Sequence, residues 1–288
     1  MKKFILKNKK FWDKFISGYK KWDPPYVPSK NRLSIYGSLI KQAVRNSGND
    51  VLLLGATPSL RDILINLKCN VTIFDFSPKM IYGMRFLMKN RKEADKREKI
   101  VIGNWLKASR IFENKFDIII GDSVTNNLTY PELKIFFREM KKISKPKGSL
   151  ILTNGGNYTK QTMAIEKMID RVKKNSGYYQ DKRNLKYDTY LVWAGNPGFV
   201  NPKTKSLYAD VQDIIFKKKF KAGKLTKNEL KLITTGLGHL RLSVFGKEIE
   251  VLMSKYFKIV RKFKERAKRG FENHKIFDLY HIYELKIK

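Results

Sequence analysis

The turn formed by Gly55, Ala56, Thr57 and Pro58 combines residue types that suit the binding of an anionic ligand. Gly55 allows a sharp bend and a close approach of a ligand to the backbone. Thr57 stands where a helix N-cap belongs, and Pro58 stands at the first helical position. The helix that follows offers amide groups and the positive end of its dipole to an anion. An ordinary strand-to-helix turn is the alternative interpretation.

An acidic residue, Asp75, lies 20 positions after Gly55. A carboxylate at this point of an α/β sheet can accept hydrogen bonds from both hydroxyls of a ribose. Capping of the next helix is the alternative role, but Ser77 before Pro78 can do that without Asp75. We therefore assign Asp75 to a ribose and count Phe76 with the same ligand-binding turn.

A third polar pair, Asn104 and Trp105, follows the apolar residues 99–102. The amide can pair with the edge of an adenine ring, and the indole can pack beside that ring. A turn asparagine next to a core tryptophan is the alternative. We assign this pair to the base of the same nucleoside ligand.

A fourth polar cluster begins at Asp122 and Ser123, after an apolar run, and continues to Asn126 and Asn127. Its position predicts the reacting end of the bound ligand. We expect Asp122 and Ser123 beside that ligand and the two asparagines beside a second substrate. A capped loop is the alternative, because Asp, Ser and Asn all favour turns.

Short apolar runs precede these four clusters, and a fifth run follows them. The runs comprise residues 51–54, 71–74, 99–102, 116–120 and 149–153. Continuous apolar runs of this length are typical of parallel strands that are buried on both faces. Helix-like segments alternate with them, so the sequence predicts a doubly wound α/β sheet. Ligands bind beyond the carboxyl ends of such strands, which brings the four clusters to one edge.

The segments VLLLGATPSL, VTIFDFSPKMI, IGNWLK, FDIIIGDSVTNNL and ISKPKGSLILT occur in this order between about residues 51 and 154. In order and spacing they resemble the successive motifs of class I S-adenosylmethionine-dependent methyltransferases. The resemblance implies a Rossmann-like sheet of seven mostly parallel strands and S-adenosylmethionine as cofactor. It implies that Gly55 forms the cofactor turn, that Asp75 holds the ribose and that Asp122 lies near the sulfonium.

The resemblance is incomplete at two positions. The cofactor turn has a Gly-x-Thr-Pro pattern instead of two or three glycines, and it resembles a variant found in some bacterial-type methyltransferases. Lys147 replaces a glycine that is common before the fifth strand. The lack of a G-x-G-x-x-G motif argues against an NAD-dependent dehydrogenase, which needs close contact with a pyrophosphate.

The chain divides into four expected parts. They are an N-terminal helical segment or lid at 1–50, the cofactor-binding core at 51–156, a mainly helical insertion or cap at 157–255, and the closing strands of the sheet at 256–288. Within the insertion, residues 185–193 are expected to form a strand or a hairpin arm.

Methyl transfer from a sulfonium is an in-line displacement, so alignment of donor and acceptor contributes most of the catalysis. A base is needed only if the acceptor is protonated. Asp122, His239 and Tyr36 are the candidate bases, and Tyr36 and Trp22 are also expected on the acceptor side. A structural role is the alternative for each of these residues.

Three functions are compatible with the sequence. The insertion favours a small-molecule acceptor, because such caps commonly shape an enclosed pocket. The formal charge of +35, from 61 basic and 26 acidic residues, favours RNA as the alternative acceptor, although a lysine-rich background also explains the charge. A non-catalytic protein that binds S-adenosylmethionine is the third hypothesis.

One cysteine, Cys69, excludes an internal disulfide, and the three scattered histidines form no metal motif. The apolar stretch near the N-terminus is too short for a signal peptide, and no run approaches the roughly 18–20 apolar residues of a membrane span. We therefore expect a cytoplasmic protein with no metal and no membrane partner. The sequence leaves the oligomeric state open.

Overall fold

The computed structural model describes residues 16–21, 24, 27–113, 115–156, 161–195, 216–235, 246–266 and 280–288. The strands in this part of the chain are β1 (Asp50–Leu54), β2 (Asn70–Asp75), β3 (Glu98–Ile102), β4 (Phe116–Gly121), β5 (Ser144–Gly155), β6 (Phe257–Lys264) and β7 (Tyr280–Ile287).

These strands form one sheet of seven strands in the order β3-β2-β1-β4-β5-β7-β6. Strands β1 to β5 pair in parallel, whereas β7 runs antiparallel to both β5 and β6. The strand order reverses between β1 and β4, so the carboxyl ends of these two strands form the switch point where ligands bind in such sheets. The predicted Rossmann-like, mostly parallel sheet is confirmed, and β6 and β7 form an antiparallel pair at one side of it.

Burial explains why the central apolar runs form strands. All six residues of β4 are buried, and so are the last four residues of β1. Val51 and Leu53 pack into one hydrophobic cluster, whereas Leu52 and Leu54 pack into the other. Both faces of the central strands are therefore covered, as continuous apolar runs predict. Strand β3 lies at the edge of the sheet and is only partly buried.

Helices connect the strands and cover the sheet. They are α1 (Lys30–Ser47), α2 (Pro58–Asn66), α3 (Pro78–Arg85), α4 (Arg91–Arg97), α5 (Tyr130–Ile143), α6 (Ile165–Lys174), α7 (Lys182–Gly195), α8 (Lys227–Thr235) and α9 (Gly246–Tyr256). Short 3-10 helices occupy Ile16–Lys21, Trp105–Arg110, Val124–Asn127 and Ser176–Gln180. Residues 216–221 are also helical.

The helices form two layers around the sheet. Helices α1, α2 and α3 cover one face, where Tyr36, Leu64 and Ile81 are fully buried. Helices α5 and α9 cover the other face, where Phe137 and Leu252 are buried. Helix α9 therefore packs on the central core, although it lies within the range expected as an insertion.

Local capping signals position several of these helices. The Ser77 hydroxyl accepts a hydrogen bond from Met80 N at 3.1 Å and caps α3. Thr226 and Glu229 form a capping box at the start of α8, with N–O distances of 2.6 and 3.2 Å. Both signals can be recognised in the sequence, because the capping residue lies three positions before its partner.

The expectation of a strand at residues 185–193 is wrong, because this segment lies within α7. Leu185, Asp188 and Val192 are buried at intervals of three and four residues, which is helical spacing. Packing of this face outweighs the β propensity of the aromatic and β-branched residues in the segment.

Replacement of Gly48 by alanine should destabilise the fold. Gly48 ends α1 with φ at +117°, and a Cβ placed there would lie 2.4 Å from Asp117 Oδ2. That oxygen accepts hydrogen bonds from Asp50 N and from Lys145 Nζ. We expect Gly48→Ala to lower the free energy of unfolding by about 1–3 kcal/mol in a urea titration.

Gly37→Ala is the matched control, because Gly37 lies inside α1 and no atom lies within 4 Å of a Cβ placed there. Alanine favours a helix interior over glycine by roughly 0.5–1 kcal/mol, so this variant should be as stable as the wild type or more stable. Equal effects of the two substitutions would contradict the steric explanation.

Candidate active site

Gly55 and Asp75 lie side by side at the ends of β1 and β2. Leu54 pairs with Phe74 in the sheet, and Gly55 N donates to Phe74 O at 3.0 Å. A Cβ placed on Gly55 would lie 3.9 Å from Asp75 Oδ2. Gly55 has φ at +85°, a conformation that favours glycine, so the turn and the carboxylate approach each other closely.

The turn after Gly55 leads into α2, which has nine residues. Thr57 is the N-cap residue, but its side chain makes no capping hydrogen bond. The first backbone bond of the helix runs from Arg61 N to Thr57 O at 3.2 Å, which places the amides of Ser59 and Leu60 in the uncapped first turn. The end of this helix can therefore receive an anion.

Asp75 is a buried carboxylate with one side directed at the turn. Its Oδ1 accepts a hydrogen bond from Ser77 N at 2.8 Å, whereas its Oδ2 faces Gly55. Burial raises the pKa of Asp75 to about 7, against the opposing effect of the backbone amides of Ser77 and Phe76. Donors such as hydroxyl groups would stabilise the ionised form of this carboxyl.

Asn104 and Trp105 lie beside the end of β2. The Trp105 indole N–H donates to Phe74 O at 2.8 Å, and its ring packs in the hydrophobic core. Asn104 Oδ1 accepts a hydrogen bond from Leu106 N at 2.9 Å. These contacts are those of a core tryptophan and a capping asparagine. A contact of this pair with adenine stays a prediction.

The loop after β4 is held in place by its own polar side chains. Ser123 has a left-handed backbone conformation, with φ at +56°, which is costly for a residue other than glycine. Asn126 is buried and pairs with both backbone groups of Gly155, at 2.8 and 3.0 Å. Asn127 Nδ2 donates to Ser123 O at 3.4 Å. The amide of Asn126 is thus engaged in the loop, which disfavours it as a substrate ligand.

Asp122 is bound by a buried arginine that sequence reasoning missed. Arg32 of α1 donates from Nη1 to both carboxylate oxygens of Asp122, at 2.9 and 3.2 Å. Its Nη2 pairs with Glu265, which follows β6, and its guanidinium lies 5.0 Å from the centre of the Tyr280 ring. Asp122 is therefore held as part of an ionic network, the Asp122–Arg32–Glu265 triad.

Tyr36 is fully buried beneath the same network. Its hydroxyl donates to Gly121 O at 3.0 Å and lies 2.6 Å from Thr153 Oγ1. Burial, followed by the negative charge of Asp122, raises the pKa of Tyr36 well above its usual value. The phenol therefore stays protonated, which disfavours Tyr36 as a base.

The 3-10 helix Ile16–Lys21 spans the carboxyl edge of the sheet. At one end, a Cβ placed on Gly83 of α3 would lie 2.7 Å from Ile16 Cδ1, so the two residues are in contact. Further along, Tyr19 packs on the core near Asp122, and burial followed by that charge raises its pKa. Two other candidates, Trp22 and His239, lie outside the described residues.

Tyrosines of the region 161–195 are engaged in packing. The Tyr179 hydroxyl donates to Asp188 Oδ2 at 2.8 Å, and the Tyr187 hydroxyl donates to Gln161 Oε1 at 2.8 Å. Arg171 also pairs with Asp188, at 2.5 Å. The Arg171 pair joins α6 to α7, whereas the two tyrosines join α7 to the 3-10 helix Ser176–Gln180 and to the segment before α6, which is a structural role for Tyr179 and Tyr187.

The missed residues share one property, which is that their partners are distant in the sequence. Arg32 lies 90 positions from Asp122 and 233 positions from Glu265. In a chain with many exposed basic residues, a buried arginine has no distinguishing local pattern. Only the assembled fold brings these charges together.

A family of methyltransferase domains matches residues 48–229, which is more than half of the chain. This chain belongs to that family. Its seven-stranded, mostly parallel sheet is that of class I enzymes, so the protein is a class I methyltransferase that uses S-adenosylmethionine. No curated protein sequence matches the methyltransferase.

Solved structures similar to the methyltransferase share its fold. A Rhodobacter sphaeroides protein, provisionally named as a Zn-dependent alcohol dehydrogenase, has 14% identity and a TM-score of 0.58 over 97% of this chain and 98% of that chain. The N-methyltransferase NodS from Bradyrhizobium japonicum WM9, solved with S-adenosyl-L-homocysteine, has 9% identity and a TM-score of 0.50 over 96% and 98%. PH0226 from Pyrococcus horikoshii OT3 has 16% identity and a TM-score of 0.50 over 94% and 98%.

Two features are absent from the described residues of the methyltransferase. No group of three or more His, Cys, Asp or Glu side chains in this part of the chain is arranged to hold a metal ion. No helix in the same ranges is both long enough and apolar enough to cross a membrane.

Asp75→Asn tests the burial of this carboxyl in the cofactor-free methyltransferase. Because the folded pKa is raised from 3.8 to about 7, the folded state retains a proton that the unfolded state loses within this window. The wild type therefore loses stability as pH rises from about 4 to about 7, and the variant does not. We therefore compare the free energies of unfolding of the variant and the wild type in urea titrations at pH 5 and pH 8. Between these two pH values, the difference should shift in favour of the variant by on the order of 2 kcal/mol.

Asp95→Asn serves as the control for this experiment, because the Asp95 side chain is 67% exposed. Its stability should follow that of the wild type at both pH values. A difference between Asp75→Asn and the wild type that does not change with pH would contradict the raised pKa.

Proposed function

We propose that this methyltransferase transfers the methyl group of S-adenosylmethionine to a small-molecule acceptor by in-line displacement. One observation supports the cofactor site, namely that Asp75, Gly55 and Asp122 lie at the carboxyl ends of three adjacent strands. Leu54, just before Gly55, pairs with Phe74 on one side and with Gly121 on the other. Asp75, the turn at Gly55 and Asp122 therefore lie next to one another at the switch point of the sheet.

Each of these groups can serve as an anchor for one part of the cofactor. Asp75 Oδ2, directed at the turn, is the proposed acceptor for the ribose hydroxyls. The uncapped first turn of α2 is proposed to bind the methionine carboxylate, with Thr57 beside it. The remaining proposed contacts come from the residues that border these anchors, namely Ala56, Phe76, Asn104, Trp105 and Ser123.

The chemistry requires alignment more than proton transfer. The methyl carbon leaves the sulfonium while its new bond to the acceptor forms, and the electron pair of the broken bond returns to sulfur. Asp122 already accepts hydrogen bonds from Arg32 on both carboxylate oxygens, so both oxygens are engaged within the protein. We therefore propose that Asp122 acts as a fixed negative charge at the reacting end of the cofactor and not as a base.

Enclosure of the acceptor side favours a small molecule. The Asp122 side chain is only 6% exposed, and Arg32, Tyr36 and Tyr280 around it are buried. A base within a polynucleotide would need an open approach to this point. We propose that the helical region 157–255 contributes further to this enclosure, and a cytoplasmic location stays a prediction.

RNA is the alternative acceptor, favoured by the charge of +35. The edge strand β6 exposes every second residue, namely Lys258, Val260, Lys262 and Lys264, and three of these are lysines. Such residues can neutralise phosphates, but lysines on an edge strand also prevent pairing with other sheets. Because the second role explains the pattern by itself, RNA remains the second candidate.

Methyl-labelled S-adenosylmethionine can separate the two acceptors. The purified enzyme is incubated with a cell extract that has been divided into RNA and low-molecular-weight fractions. We expect label in the low-molecular-weight fraction only. Label in the RNA fraction, with a yield that falls steeply as salt increases, would contradict the proposal and support the RNA alternative.

Asp75→Ala should abolish binding of the cofactor. Two hydrogen bonds from hydroxyls to a charged carboxylate account for an affinity loss of at least about 100-fold. Titration calorimetry with S-adenosylmethionine measures this loss, and cooperative thermal unfolding confirms that the variant is folded. Asp95→Ala, an exposed acid, should keep wild-type affinity. Wild-type affinity in Asp75→Ala would refute the ribose assignment.

A further inference from the structure

The Asp122–Arg32–Glu265 triad contains two carboxylates and one guanidinium in a site closed to solvent. The side chains of Arg32 and Glu265 are fully buried, and that of Asp122 is 6% exposed. The formal charges of the two carboxylates and the one guanidinium sum to −1. A buried charge without a counterion is costly, so this excess requires a compensating partner.

The surroundings of the triad do not supply that partner within the described part of the chain. Glu265 Oε1 is buried and has no hydrogen-bond partner there. The phenols of Tyr19, Tyr36 and Tyr280 lie close to the triad. Burial is the largest cause of the raised pKa of each phenol, and the charge of Asp122 raises it further, whereas the charge of Arg32 lowers it.

The excess charge lies on the acceptor side of the proposed cofactor site. Asp122 follows Gly121, which pairs with Leu54 directly before the turn at Gly55. Asp75 lies on the opposite side of the same turn. In the cofactor, the sulfur is covalently located between the ribose and the amino acid, which are the two parts assigned to Asp75 and α2. A positive sulfur held between these anchors would lie on the side of the turn where Asp122 follows β4.

We propose that the triad recognises the positive charge of the cofactor and thereby distinguishes S-adenosylmethionine from its neutral product, S-adenosylhomocysteine. This inference rests on the proposed cofactor site. Methyl transfer returns an electron pair to sulfur and converts a sulfonium into a neutral thioether. The neutral product then no longer compensates the excess negative charge of the triad. Attraction between unlike charges thus favours binding of the substrate and release of the product.

Titration calorimetry with both ligands tests this proposal. We expect the wild type to bind S-adenosylmethionine at least about tenfold more tightly than S-adenosylhomocysteine. Glu265→Gln keeps the shape of the side chain and an oxygen for Arg32 but removes the excess charge. In this variant the ratio of the two dissociation constants should fall towards one, mainly through weaker binding of S-adenosylmethionine.

Glu98→Gln is the matched control, because Glu98 pairs with another fully buried arginine, Arg61, and lies at the amino end of β3, whereas the proposed site lies at the carboxyl ends of the strands. This variant should keep the wild-type ratio. An analogue with an amine in place of the methylated sulfonium should behave as S-adenosylmethionine does, because it carries the same charge without the reactive methyl group.

A purely structural role for Glu265 predicts a different result. It predicts that both ligands weaken equally in Glu265→Gln and that thermal stability falls, whereas removal of an excess charge should leave stability unchanged or raise it. If Glu265→Gln does not fold, Asp122→Asn replaces it. A wild-type ratio of one or less, or an unchanged ratio in the folded variants, would overturn the proposal. Failure of the wild type to bind either ligand would instead contradict the proposed cofactor site.

Discussion

The register of β1 between β2 and β4 is the constraint on which the active site depends. Leu54 pairs with Phe74 and with Gly121, so three turns leave the sheet at the same level. A slip of one residue would turn every side chain of a strand to the opposite face. Because continuous apolar burial on both faces holds this register, the same packing that stabilises the core also places the acids around the turn.

The buried charged groups position parts of the active site but contribute little to the stability of the fold. A buried ion pair gains little over apolar packing, because desolvation of the charges offsets their attraction. The planar guanidinium of Arg32, however, can hold two carboxylates in fixed directions. The apolar layers therefore account for the stability of the fold, while the buried arginine orients a loop and a strand end from a third element, α1.

Local patterns were sufficient to predict the sheet and the adjacency of Gly55 and Asp75, because parallel strands end at one edge. They were insufficient for α7, where helical packing outweighed β propensity. They were also insufficient for Asn126, whose partner is the backbone of Gly155, since contacts between separate strand ends leave no periodic signal. Arg32 is the extreme case, because its role depends on residues 90 and 233 positions away.

The 233-residue separation of Arg32 and Glu265 has a consequence for synthesis. At the usual rates of translation, roughly 10–50 seconds separate the emergence of these two residues from the ribosome. During that interval β7 is missing, so the growing chain presents the edge of β5 that β7 later covers. An uncovered edge of this kind can pair with other chains. When β7 is made, it shields the edge of β5 and also positions the second carboxylate of the triad, because Glu265 N donates to Tyr280 O at the start of β7.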